Sequence, residues 1–254
     1  MKRNLIYLVC FIVLVSIVIC GISLTNSNLP ATEEVKEKAT PNVYIKEDKP
    51  TAIYIQGNAE PVLRIEDLPK EFPPHVQHPE GARFPDTRFN LASLSPDGQR
   101  IAFSCGEVHT WVGLFELKNK KIHVINWLFD TSIDQILCSP NSQYFAYTYN
   151  VPSGQRNVMI IGFKQKTKEP YFSNRWSSVE DEDIISGRKK IDCLLINNLE
   201  WSKDGQNIQF EIQKCETRGL ELIKKENEPM ETIILKAIKG EAMKETLKKE
   251  KVKR

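Results

Sequence analysis

Three ten-residue stretches decide the fold of this chain. Residues 94–103 read LSPDGQRIAF, residues 138–147 read CSPNSQYFAY, and residues 201–210 read WSKDGQNIQF. The three align without a gap. Their serines are 44 residues apart in the first interval and 63 in the second. An interval of about 40–45 residues is typical of a four-stranded propeller blade. The repeat therefore predicts successive units of one β architecture, with an insertion before the third.

The start of each stretch predicts a tight turn between two antiparallel strands. In the first copy, Pro96 presets φ at the second turn position, Asp97 bonds nearby backbone groups, and Gly98 accepts a positive φ. The predicted structural turn residues in the three copies are Ser95, Pro96, Asp97, Gly98, Ser139, Pro140, Asn141, Ser202, Asp204 and Gly205.

The residues after each turn alternate between a large and a small face. Ile101 and Phe103 share one face of the first copy and Ala102 lies on the other, and the same alternation occurs at 145–147 and 208–210. Large faces beside small faces allow sheets to stack closely. Third strands are predicted at 111–117, 157–163 and 219–223, and fourth strands at 122–125, 170–173 and 232–235.

The motif resembles the WD-like Ser-Pro-Asp-Gly repeats of the TolB-type periplasmic β-propellers, which also form the propeller domain of prolyl oligopeptidase relatives. The resemblance covers residues 88–235. It implies an all-β fold, a partial or small β-propeller of stacked four-stranded antiparallel blades. About three blades can be recognised in the sequence, whereas propellers of this family usually form a closed ring of six or seven blades. Gln209 and Glu211 give the third copy a polar face, which favours an open stack over a closed ring. Two chains that complete one ring together are one alternative, and a truncated or divergent propeller is another.

The N-terminus predicts a membrane segment. Residues 5–24 carry no charge, and a helix of that length spans about 30 Å, the thickness of a bilayer's hydrocarbon core. Lys2 and Arg3 place the N-terminus in the cytoplasm. Residues 1–24 are thus a cytoplasmic tip and transmembrane signal anchor, for a single-pass protein of the bacterial inner membrane with a periplasmic C-terminal domain. Secretion after signal cleavage and a lipoprotein at Cys20 are the alternatives.

Composition divides the rest of the chain. The predicted parts are a flexible polar stalk (25–41), short strands and a Pro-rich loop (42–87), the propeller repeats (88–235) and a basic C-terminal tail (236–254). The Pro-rich loop excludes regular helix, because each proline lacks an amide donor.

Charge and cysteine content exclude two protein classes. Of the 254 residues, 35 Lys and Arg against 33 Asp and Glu leave a net charge of +2, too small to indicate nucleic acid as a partner. Six cysteines are too few for a disulfide scaffold at this length. In an oxidising compartment, a disulfide between Cys193 and Cys215 is one alternative for the third unit and two free thiols are the other, while Cys105 and Cys138 read as buried thiols.

The sequence predicts no catalytic, cofactor-binding or metal-binding residues. It lacks the G-x-S-x-G elbow of hydrolases, the G-x-G-x-x-G fingerprint and the P-loop. His75 and His78 have no clear third ligand, and the acidic run at 180–183 lacks the spacing of a calcium loop. His109 and His123 are isolated in predicted strands or hairpins and are expected at the surface. Trp176 and the adjacent Arg175, in the insertion at about 174–192, are a candidate partner contact, with packing over a blade edge as the alternative.

These features predict a membrane-anchored, exported, β-propeller-like binding or scaffold protein that mediates protein–protein interaction in the cell envelope and is not an enzyme. Its expected partners are the membrane, through the N-terminal helix, and a second protein. A regulatory or sensor subunit of an envelope enzyme is one alternative. The other is a self-associating element that closes a propeller as a homodimer.

Overall fold

The computed structural model describes residues 42–74, 76, 87–151, 154–163, 170–178, 194–218, 221–224, 230–237 and 247–248. All of them belong to one compact unit, Thr40–Arg254. The predicted membrane segment, the stalk and most of the basic tail lie outside the described residues. Within the described part, no helix is both long and apolar enough to cross a bilayer.

The described chain folds into four antiparallel sheets, numbered here in chain order. Sheet 1 contains β1 (Val43–Lys46), β2 (Lys49–Ile55) and β3 (Leu63–Arg64), followed by a 3-10 turn at Ile65–Asp67. Sheet 2 contains β4 (Phe89–Leu94), β5 (Arg100–Gly106), β6 (Thr110–Glu116) and β7 (Lys121–Leu128). Sheet 3 contains β8 (Ser132–Cys138), β9 (Tyr144–Asn150), β10 (Arg156–Phe163) and β11 (Pro170–Ser177). Sheet 4 contains β12 (Leu194–Trp201), β13 (Asn207–Arg218), β14 (Glu221–Lys224), β15 (Glu231–Lys236) and β16 (Leu247–Lys248).

Sheets 2 and 3 are four-stranded meanders, as the first two repeats predict. Each strand pairs with its chain neighbour, in the order β4-β5-β6-β7 and β8-β9-β10-β11. Short hairpin connections require this antiparallel arrangement. The all-β class and the four-stranded unit of the first two repeats are therefore correct.

Sheet 4 departs from the predicted strand order. Strand β13 is 12 residues long, whereas β5 and β9 have seven each, so one neighbouring strand does not cover it. Strand β15 pairs with 207–212 and β14 with 215–218. The segment predicted as the third strand of the blade, 219–223, thus contributes to β14 on the extension of β13. The segment predicted as the fourth strand takes the third position in the sheet.

Side chains of alternating size pack the four sheets in series. On β5, Ile101 and Phe103 belong to the core shared with sheet 1, while Ala102 belongs to the core shared with sheet 3. On β9, Phe145 and Tyr147 pack in that same core between sheets 2 and 3. The small Ala102 leaves room for these rings, which is the face alternation that the sequence predicts.

The far side of sheet 4 is polar. Ile208 and Phe210 are fully buried against sheet 3, whereas Gln209, on the opposite face of β13, is exposed. A polar outer face is expected of the terminal unit in a stacked array. The four sheets therefore form a propeller-like series, consistent with a partial propeller.

The described cysteines differ in state. Cys105 and Cys138 are free thiols, and Cys215 is disulfide-bonded. Its candidate partner, Cys193, lies outside the described residues. Burial raises the pKa of Cys138 to about 11, and its thiol donates to the Ser93 carbonyl at 3.3 Å. Cys138 therefore stays protonated at neutral pH, as a structural thiol rather than a nucleophile.

Candidate protein-binding surface

The first serine turn is closed by a compact set of hydrogen bonds. The Ser95 amide donates to the Arg100 carbonyl at 2.8 Å, and the Arg100 amide donates back to Ser95 Oγ at 2.9 Å. Asp97 Oδ1 accepts from Ser95 Oγ at 2.6 Å and from the Gln99 amide at 3.0 Å. The serine hydroxyl thus closes the hairpin from inside, because it donates to one side chain and accepts from one amide.

The other two turns repeat this arrangement. Ser139 Oγ donates to Asn141 at 2.7 Å, and Ser202 Oγ donates to Asp204 at 2.6 Å. The bonds from the Ser202 hydroxyl and the Gln206 amide lower the pKa of the Asp204 carboxyl. Each hydroxyl also accepts an amide five residues later, at 3.0 Å in both copies. These residues build turns.

The three turns also bond to one another across the sheets. The Asp97 amide donates to Ser142 Oγ at 3.0 Å, joining sheets 2 and 3. Asn141 Nδ2 donates to the carbonyls of Asp204 and Gly205 at 2.8 and 3.2 Å, joining sheets 3 and 4. Pro96 and Pro140 occupy turn positions that need no amide donor. One end of the sheet series, the corner end, is therefore a continuous row of hydrogen-bonded turns.

Trp176 lies between two sheets rather than in a loop. Strand β11 continues to Ser177, four residues beyond its predicted end, and includes Trp176. The indole is 7% exposed and packs edge-on against Phe210, with ring centroids 5.1 Å apart. The neighbouring Arg175 donates to Asn157 Oδ1 at 3.0 Å. Of the two alternatives for Trp176, the structure places it in the packing role, so its ring is not presented to a partner.

The opposite end of sheet 2 carries two exposed apolar side chains. Val108, in the β5–β6 connection, is 65% exposed, and Phe129, in the β7–β8 connection, is 54% exposed. The two connections are tied together, since the Thr131 amide donates to the Val108 carbonyl at 3.2 Å and the Asp130 amide donates to His109 Nδ1 at 3.1 Å. We call Val108, His109, Phe129 and Asp130 the loop-end surface.

Aromatic rings support this surface from below. The His109 ring stacks on Phe129 at 4.5 Å and lies 5.6 Å from Trp127, which is 8% exposed. Phe72 packs edge-on against Trp127 at 5.7 Å. Such ring pairs add about 0.5–1.5 kcal/mol each beyond burial of area. The exposed residues thus stand on a packed base.

The backbone fixes how Phe129 is presented. Asp130 has φ of 44°, a left-handed conformation that costs about 1–2 kcal/mol for a non-glycine residue. Its amide bond to His109 holds it there, and Thr131 Oγ1 donates to the Phe129 carbonyl at 2.6 Å. Asp130 Oδ1 lies 3.4 Å from the same His109 nitrogen. The amide and the carboxylate of Asp130 therefore both lie close to the same ring nitrogen of His109.

Sequence reasoning missed this surface and misplaced one histidine. It treated His109 as isolated and did not single out Val108 or Phe129, whose only signal is an apolar residue at a connection where polar residues are usual. His123, expected at the surface, is buried, with Nε2 3.2 Å from Glu116 Oε1. His123 pairs directly with Leu114, which belongs to the core between sheets 2 and 3, so its side chain faces sheet 3.

No metal centre is formed by the described residues. Among them, no group of three or more His, Cys, Asp or Glu side chains is placed to hold an ion. His75, His78 and the acidic run at 180–183 lie outside the described part of the chain.

Comparisons with known proteins return a likeness of fold alone. A scan against protein-family models and a search of curated proteins both found no match. Among solved structures, TolB from Acinetobacter baumannii matches 78% of this chain at 12% identity with a TM-score of 0.37, over 39% of its own length. The β-propeller domain of the trilobed protease from Pyrococcus furiosus matches 62% at 14% identity with a TM-score of 0.37, over 44% of its length. Hydrazine synthase from Kuenenia stuttgartiensis matches 68% at 14% identity with a TM-score of 0.38, over 51% of that chain. Values this low carry no information on activity or partners.

Proposed function

We propose that this chain is a protein-binding module that docks a partner protein on its loop-end surface. The observation that carries the proposal is a pair of exposed apolar side chains, Val108 and Phe129, in two connections that hydrogen-bond to each other, with Phe129 stacked on His109. Exposed aromatic side chains held in one conformation supply much of the energy of protein interfaces, because little entropy is lost on binding. His109 and Asp130 add a polar rim, which is typical of such sites.

The proposal includes an envelope location. The uncharged run at 5–24, preceded by Lys2 and Arg3, supports a signal anchor that holds the β sheets outside the cytoplasm. The module binds and does not catalyse: the sequence has no hydrolase elbow or nucleotide-binding loop.

Site-specific photocrosslinking of the full chain in living cells tests the proposal. A benzoylphenylalanine at position 108 is expected to give a discrete crosslink to one different protein from outside the cytoplasm. The matched control carries the probe at Lys203, which is exposed in the third corner turn. We expect Phe129→Ser to reduce the crosslink at 108 about tenfold, the effect of removing one interface anchor worth about 1.4 kcal/mol.

The outcomes separate the hypotheses. Equal crosslinking at 108 and 203, or insensitivity to Phe129→Ser, contradicts a specific surface. A crosslink only to a second copy of the chain supports the homodimer alternative instead. A cytoplasmic partner contradicts the envelope location.

A further inference from the structure

A cleft opens between the outer strands of sheets 2 and 3. It has a volume of about 640 Å³, and residues of β7, β9, β10 and β11 line it together with Pro73. Its walls are mainly apolar. The contributing side chains include Ile122, Ile125, Met159, Ile161, Pro170 and Phe172. Sites for small ligands have volumes of about 300–1,000 Å³ and apolar walls with a few placed polar groups.

A phenol at this cleft holds an unused hydrogen. Tyr147 lines the cleft and is almost completely buried, and its oxygen accepts from Asn126 Nδ2 at 3.3 Å. No described residue accepts the hydrogen of its hydroxyl. If the Asn126 amide is turned over, the phenol donates to it and an amide N–H is left over instead. Burial raises the pKa of Tyr147, so the group stays a donor through neutral pH.

The same face of sheet 3 holds a second unused donor. Tyr147, Met159 and Arg175 lie directly opposite one another on β9, β10 and β11, so their side chains share the face toward sheet 2. Asn157, two residues from Met159, lies on that face and is fully buried. Its Oδ1 accepts from Arg175 at 3.0 Å, but its Nδ2 has no hydrogen-bond partner among the described residues.

The described cleft lining contains a lysine, Lys121, and no carboxylate, and Glu116 Oε1 lies 3.2 Å from Nε2 of the lining residue His123. Beside the positive charge of Lys121, Tyr147 offers a hydroxyl hydrogen that lacks an acceptor among the described residues. Asn157 does not line the cleft and lies two residues along β10 from the lining residue Met159. Leaving such a buried donor unpaired costs about 1–3 kcal/mol, so a ligand that supplies acceptors gains affinity.

We propose that the cleft between sheets 2 and 3 binds a small apolar carboxylate, with its hydrocarbon part against the walls and its carboxylate accepting from the Tyr147 hydroxyl. A carboxylate has acceptor oxygens and no donor, which matches the Tyr147 hydroxyl and the lysine in the lining, whereas an amide brings donors of its own. The inference does not rest on the proposed protein-binding function, because the cleft and the loop-end surface share no residue.

Ligand-observed NMR on the full chain in lipid nanodiscs tests the inference, with empty nanodiscs subtracted. The probes are 4-phenylbutyrate and its neutral counterpart 4-phenylbutanamide. We expect the acid to bind about tenfold tighter than the amide, and Tyr147→Phe to abolish that preference. The matched control is Tyr149→Phe, on the same face of β9 but outside the cleft lining, which is expected to keep the preference.

Each other result overturns the proposal. Absence of binding, equal affinity for acid and amide, or the same loss in Tyr149→Phe contradicts it. If Tyr147→Phe fails to fold by circular dichroism, the comparison of the two probes on the native chain decides alone. Crosslinking at position 108 is unaffected by Tyr147→Phe, so failure here leaves the protein-binding proposal standing.

Discussion

The two ends of sheet 2 are built on opposite principles. At the corner end, the Ser95 turn has counterparts at Ser139 and Ser202, and all three close through the same hydroxyl and bond to their neighbours. At the loop end of sheet 2, the connections at Val108 and Phe129 have different sequences and bond to each other through the Thr131 and Asp130 amides. A repeated motif thus forms the corner end, whereas the loop end of sheet 2 is held by bonds between two connections that share no motif.

The difference has an energetic basis. A turn that stacks on identical turns must satisfy its buried polar groups the same way each time, because an unpaired one costs about 1–3 kcal/mol. An exposed loop has no such demand, since water pairs its polar groups. The corner end is therefore constrained by stability, while the loop end is free to be shaped by binding.

Removal of the buried Ser139 hydroxyl is expected to cause the largest loss of stability at the corner end. Ser139 is fully buried, and Ser139→Ala leaves the Tyr144 amide and Asn141 without their bonds. We expect the free energy of unfolding to fall by about 2–3 kcal/mol, measured by urea denaturation. Ser132→Ala is the control, because this hydroxyl bonds Asp134 and Asn150 at an exposed position, and it is expected to change stability by less than about 0.5 kcal/mol. Equal losses in Ser139→Ala and Ser132→Ala would mean that the buried turn hydroxyl contributes no more to stability than an exposed one.

Features of local origin were predictable from the sequence. The turn at 95–98 and the alternation after it depend on residues close in the chain, so one sequence contains the information. The strand order of sheet 4 could not be predicted in the same way. It depends on how far β13 extends beside partners up to 29 residues away, as in the pair Asn207 and Lys236. Trp176 was misplaced for the same reason, since the length of β11 is set by pairing with β10.

The two candidate sites were beyond sequence reasoning for a further reason. His109 and Phe129 come from different connections and meet only because β6 and β7 return the chain to the same end. The cleft depends on the distance between sheets 2 and 3, and the sequence of a single strand does not determine that distance. Sites formed between units carry no local motif, although the units themselves do.

Changing the link between turns is expected to have a smaller effect. Asn141→Asp keeps the acceptor that Asp97 and Asp204 provide in the other turns, but it loses the amide that bonds sheet 4 and brings a charge toward two carbonyls. We expect a loss of about 1–2 kcal/mol in unfolding free energy, from one bonded amide and the repulsion. The reverse change, Asp97→Asn, retains the acceptor within its turn and weakens only a partly exposed ion pair to Arg100, so about 0.5 kcal/mol is expected. A larger loss in Asp97→Asn would show that charge, rather than the bond between sheets, holds the corner end together.

Changes at the loop end are expected to have the smallest effect on the free energy of unfolding, in contrast to Ser139→Ala at the corner end. Phe129→Ser and Val108→Ser remove side chains that are 54% and 65% exposed, and each is expected to change the free energy of unfolding by no more than about 0.5 kcal/mol. Urea denaturation of both variants beside Ser139→Ala measures the contrast on one scale. A loss above about 1.5 kcal/mol in Phe129→Ser would mean that its stack on His109 and Trp127 is part of the core. The loop end would then contribute to stability as the corner end does, and the exposed Phe129 ring would no longer support a binding surface.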